Sequence, residues 1–119
     1  MALHHQLPIY KVTYDLLGVA VDLVKNMPRD FKQSIGAEIR SECVRIVVLI
    51  FRANCAKAKA PHLEELLERL QVTELLLRVS RDKHFISVKQ YAAAVALTDQ
   101  IGKQANGWKK HATATSPAA

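Results

Sequence analysis

The sequence predicts an all-α protein folded as an up-down antiparallel four-helix bundle, and three observations lead there. Half of its 119 residues are hydrophobic, yet only 6% are aromatic and 4 are glycine, a balance that suits helices filled with Leu, Val and Ala better than a sandwich of short strands. Apolar residues recur at i, i+3 and i+4 through four separate stretches, the period of an amphipathic helix. Prolines and a capping box separate those stretches by short connections, which favour antiparallel neighbours. A chain of this length has one core.

The first helix is expected over residues 9–27, where Ile9, Val12, Leu16, Val19, Ala20, Leu23 and Met27 share a face and Lys11, Asp15, Asp22 and Lys25 lie opposite. Pro28 stops it by pushing the preceding residue out of the α region. Asp30 with Gln33, or Ser34, is placed to cap a second helix over residues 31–57. Its Val44–Phe51 run is rich in β-branched residues, but the long periodic context argues helix over strand. A helix apolar over so much of its circumference is expected to be central.

Pro61 suits the first turn of a third helix, expected to run to Asp82. Leu63, Leu66, Leu67 and Leu70 point one way along it, and Val72, Leu75, Leu76 and Val79 roughly the reverse. The fourth start is the clearest local signal: Ser87 and Gln90 form a capping box, with Ile86 and Tyr91 as its hydrophobic staple. Ala94, Val95, Leu97, Thr98, Ile101, Gly102, Ala105 and Trp108 make the inner face of a helix ending near Lys110. Residues 1–8, including His4 and His5, and the tail 111–119 are expected to be disordered, leaving 9–110 as the bundle.

Little in the chain carries catalytic chemistry. The histidines His4, His5, His62, His84 and His111 are scattered, and no Glu-x-x-His pair, glycine-rich phosphate loop, GxSxG or HExxH occurs. No enzyme activity, metal or cofactor is therefore expected. Cys43 and Cys55 sit twelve positions apart on one helix, about 18 Å in rise, too far to bridge. They read as buried reduced thiols of a cytoplasmic protein. The longest apolar run, Ile46–Phe51, is far short of a membrane span.

What remains is charge and surplus apolar surface. The formal charge is +6, which favours acidic partners such as RNA or DNA. Arg45, Arg52 and Lys59 recur every seven residues along the second helix, and Lys103 and Lys110 do so on the outer side of the fourth. These five are the candidates to neutralise phosphates; the alternative for the first three is that they cover apolar surface and pair with Glu38 or Glu42. Arg78, Arg81 and Lys83 are candidates to meet a protein partner, or simply complement the negative end of the third helix. Tyr14, Leu17, Val21 and Val24 widen the apolar face of the first helix, as Val47 and Phe51 do that of the second. One small core does not need that width, so self-association through these six residues is expected. Close helix approach is one reason for Gly18, Gly36, Gly102 and Gly107, although an N-terminal fray suits Gly36 equally.

Certain stretches resemble a known family. Ile86-Ser87-Val88-Lys89-Gln90-Tyr91, Ile101-Gly102-Lys103 and Gly107-Trp108, with Ile35-Gly36, Ile39-Arg40 and Leu75 to Asp82 upstream, are similar to the Avd-like four-helix-bundle proteins. These are accessory variability determinants of diversity-generating retroelements, related to ribosomal intervening-sequence proteins. The resemblance covers residues 10–110. It implies a homopentameric ring with a basic surface that associates with a reverse transcriptase and nucleic acid and has no catalysis of its own. Asn54-Cys55-Ala56-Lys57 stands where the intervening-sequence branch has Asn-Ile-Ala-Glu-Gly, which places the resemblance with the Avd-like branch. The competing expectation is a structural self-assembling interaction module that never touches nucleic acid.

Overall fold

A computed structural model describes residues 3–115, with the side chains of His4 and Thr115 excepted. Four long helices account for most of them: α1 (Pro8–Lys25), α2 (Ala37–Cys55), α3 (Ala60–Asp82) and α4 (Val88–Thr115). The connections span few residues, whereas the bundle is 50 Å long and 23 by 21 Å across. The connections 56–59 and 83–87, even fully extended at about 3.3–3.6 Å per residue, are shorter than the helices they join, so α2, α3 and α4 alternate in direction, and the longer 26–36 connection is itself mostly helical turn. Each helix packs on two neighbours in the order α1, α2, α3, α4 and back to α1. No helix is central; α2 occupies a corner like the others.

Local chemistry sets the ends. Pro8 and Pro61 lie in the first turns of α1 and α3, where a missing N–H costs nothing. At α4 the Ser87 amide donates to Gln90 Oε1 at 2.8 Å and the Gln90 amide to Ser87 Oγ at 3.0 Å, the reciprocal box expected from sequence. The expected Asp30 cap does not form. Instead a helical turn, Arg29–Phe31, starts beyond Pro28 and runs through a π-helical stretch, Lys32–Gly36, into α2, while the Ser34 hydroxyl donates back to the Asp30 carbonyl at 3.2 Å. Asp30 serves only as an acidic group in the first turn, at the positive end of the helix dipole.

The widened turn brings Gly36 against α1. A β-carbon there would lie 2.8 Å from Val24 Cγ1 and 3.2 Å from Met27 Sδ, so close approach, and not fraying, is the reason for this glycine. Close approach does not explain Gly18 and Gly107, which face open space, and Gly102 would make only ordinary contact, 3.5 Å from Leu70 Cδ2.

The core contains Leu16, Leu23, Ile39, Ile46, Ile50, Leu63, Leu66, Leu77 and Ile101, each essentially inaccessible to water and worth about 1.5–3 kcal/mol in transfer terms. The face of α3 does not reverse as expected: Leu75 and Val79 are exposed, and the inner line continues from Leu70 through Thr73, Leu77 and Ser80. The Thr73 and Ser80 hydroxyls donate to the carbonyls of Arg69 and Leu76, at 2.9 and 2.8 Å. Thr13 and Thr98 do likewise on α1 and α4, so the buried hydroxyls are satisfied within their own helices.

At the N-terminus a short 3-10 turn, His4–Gln6, precedes α1, and Leu7 packs on the core, within the stretch expected to be disordered. At the other end α4 continues past Lys110 to Thr115, so residues 111–115 of the expected tail are helical; 1–2 and 116–119 lie outside the described residues. No helix of the described residues is long and apolar enough to cross a membrane.

Candidate nucleic-acid and self-association interface

On α2 the residues directly opposite the core are apolar. At about 100° per residue, Val44, Val48, Phe51 and Cys55 form one line, and all four are exposed. Cys55 is therefore not the buried thiol expected, whereas Cys43 is buried in the core and its thiol is pushed up to about 12, mainly by burial and further by Glu42. Arg45 and Arg52 flank this apolar line on the side toward α3 and are exposed. With Val44, Val48, Glu65 and Arg69 they line a hollow of about 520 Å³ between α2 and α3.

The floor of that region holds Glu42, named above as a candidate partner of these cations. Glu42 is 1% exposed. Its Oε1 accepts from Arg45 Nη1 at 3.0 Å and from Arg69 Nη1 at 3.1 Å, and its Oε2 is buried without a hydrogen-bond partner. Arg69 Nη2 also donates to Glu68 at 3.1 Å; that bond first, and the charge of Glu42 next, hold its guanidinium pKa above the ordinary value.

The expected stripe of three cations is not a stripe. α2 ends at Cys55, and Lys59 turns back so that its Nζ donates to the carbonyls of Ala53, Asn54 and Ala56 at 2.9, 3.1 and 3.0 Å. It caps the helix C-terminus. Lys103 and Lys110 are exposed on α4, but α4 occupies the corner diagonal to α2, so they face away from Arg45 and Arg52. Within one subunit these residues do not make a single surface. Lys109, beside them, pairs with Glu64 at 3.6 Å.

Among the partner candidates, Arg78 and Lys83 are exposed. Arg81 is engaged: it donates to Asp82 Oδ1 at 2.8 Å, and its guanidinium lies 4.4 Å from the centre of the Tyr91 ring, a cation–π contact that ties the end of α3 to the start of α4.

The self-association candidates divide. Val24 is core, 2% exposed, and is removed from that set because it packs against the Gly36 turn. Tyr14 and Val21 are exposed, and Leu17 is half-buried, around a hollow of about 340 Å³. They lie outward of Val24 on the flank of α1 that faces α2, and half-buried Val47 and exposed Phe51 occupy the corresponding flank of α2. Val44 and Val48, part of the apolar run that made α2 look central, extend this surface. The signal that was available is the surplus itself: a corner helix shelters only part of its circumference.

Among the described residues no group of three His, Cys, Asp or Glu side chains is placed to hold a metal ion. The molecule is thus a four-helix bundle whose distinctive features lie on its outer faces. The chain belongs to the bAvd-like family, whose pattern it matches over residues 7–112. No curated protein is significantly similar to it. Stretches that carried the resemblance have structural duties here: Gly36 admits α1, Ser80 helps to close α3, and Ser87 with Gln90 starts α4.

Proposed function

We propose that the chain is a non-enzymatic accessory subunit that assembles with copies of itself, as a ring of five, and presents nucleic acid to a partner reverse transcriptase in the cytoplasm. The observation that carries this reading is the outer face of α2, where exposed Val44, Val48 and Phe51 run beside exposed Arg45 and Arg52. Water-facing apolar surface of this extent on a small bundle marks a contact with another macromolecule, and the adjoining arginines supply charge for phosphates. The basic balance of +6 agrees in sign.

The test is RNA and DNA binding across a salt series. Affinity should be measurable at low salt and fall linearly in log–log form as salt rises, and Arg52→Glu should weaken all sequences about equally. Absence of binding at low salt, or affinity indifferent to salt, rejects the phosphate contact.

A second reading, a self-assembling protein-interaction module without nucleic acid, is favoured by one specific observation. Arg45 and Arg69 already hold Glu42, Lys59 holds backbone carbonyls, and Glu65 and Glu68 offset the charge around the hollow. Under that reading copies still associate but the salt series shows no binding.

A further inference from the structure

The end of the bundle where α1 turns into α2 and α3 turns into α4 carries a second surface. α3 closes with His84 in the left-handed region at φ 61°, the Phe85 amide donating to the Ser80 carbonyl at 2.8 Å and the His84 amide to the Arg81 carbonyl at 3.0 Å. This reversal folds Phe85 back over the bundle end. There its ring stacks on Phe31, from the turn before α2, with centroids 3.9 Å apart and planes inclined by 21°.

Phe85 packs on the core, whereas Phe31 remains 40% exposed. Phe85 covers one face of Phe31, and the rest of the ring stays partly open to water. An aromatic ring left this exposed is more than packing on Phe85 requires.

The neighbouring charge is positive. Arg29 and Lys32 flank Phe31, and Lys83 and His84 precede Phe85. Against them stand Asp30 and Asp82, of which Asp82 is taken up by Arg81. A part-exposed aromatic ring beside Arg29, Lys32 and Lys83, none of which makes an ion pair among the described residues, is the arrangement that holds an unpaired base by stacking and its backbone by charge. A duplex, whose bases are already stacked, gains only the charge.

We infer that the Phe31–Phe85 stack, with Arg29, Lys32 and Lys83 around it, is a stacking platform for single-stranded nucleic acid. The inference rests on the nucleic-acid reading above and adds a strand preference and a place. It needs no base-specific contact, because every base offers a π face.

The experiment is fluorescence anisotropy of the full chain with a labelled oligothymidine and with a duplex of equal length, for the wild type, Phe31→Leu and Phe31→Trp. Helical circular dichroism and melting temperature confirm that each variant folds. Phe31→Leu should weaken the single strand about tenfold and change duplex binding less than about twofold. Phe31→Trp should restore single-strand affinity, and its emission should be quenched by the oligonucleotide beyond any change at Trp108 in the wild type. Single-strand affinity unchanged in a folded Phe31→Leu protein overturns the platform while leaving the proposed function standing. A wild type that binds neither probe at low salt removes both.

Discussion

Arg69 Nη1 donates to Glu42 Oε1 at 3.1 Å across the seam between α2 and α3, joining a glutamate side chain that is 1% exposed to an arginine side chain that is 23% exposed. The asymmetry decides what each residue is worth. If the carboxylate is removed, Arg69 and the 54%-exposed Arg45 turn to water at little cost. If Arg69 is removed, the carboxylate stays buried with Arg45 alone, which is the expensive half of a broken buried pair. Arg69→Met is therefore expected to destabilise clearly more than Glu42→Met in urea unfolding. Equal losses for the two variants would contradict this assignment.

The thiols should behave oppositely. Cys55 is exposed and Cys43 is buried, so a thiol-exchange reagent at pH 8 should modify Cys55 in the native protein and reach Cys43 only on unfolding. Because the folded state raises the Cys43 thiol from 9.0 to about 12, stability that is fully present below pH 9 is lost as pH rises toward 12. The slope is about 1.4 kcal/mol per pH unit once the unfolded thiol ionises. Cys43→Ala should lack this component. Identical alkaline profiles for the two proteins would count against it.

Two backbone positions should respond with opposite signs. Gly36→Ala forces a β-carbon to within 2.8 Å of Val24 and should cost about 1–3 kcal/mol. His84→Gly relieves a left-handed residue at the end of α3 and should stabilise by about 0.5–1 kcal/mol. Thermal melts of both variants check the pair.

Lys59 separates structure from binding. Its three bonds to the carbonyls at the end of α2 make Lys59→Met destabilising by about 1 kcal/mol. Once folded, the variant should bind nucleic acid as the wild type does. A large loss of affinity with unchanged stability would return Lys59 to the binding surface.

The legible parts of the fold were those written in local chemistry. Ser87 and Gln90 face no competitor for their reciprocal bonds, and Pro28 and Pro61 restrict the backbone wherever they fall. The misread parts depend on what a residue meets. Thr73 and Ser80 look polar in a helical wheel, yet each satisfies its hydroxyl on its own helix and fits the core, which is why the apolar pattern of α3 suggests a reversal from Val72 onward. Glu42 belongs to the interior only because Arg69, on another helix, reaches it. At the candidate interface, the excess of apolar residues on α1 and α2 was visible in sequence. Which of them stay outside was not, because that is set by each helix's corner in the bundle: Val24 went in, while Val44 and Val48 stayed out.

In the proposed assembly, further copies of the chain cover the exposed face of α1 and α2. Light scattering coupled to size exclusion measures this directly. The wild type should elute as a discrete multiple of its 13.3 kDa subunit, and Val48→Asp, at a position 39% exposed in the subunit, should fall to the single-subunit mass while remaining helical. A wild type that stays at 13.3 kDa at high concentration would contradict the claim.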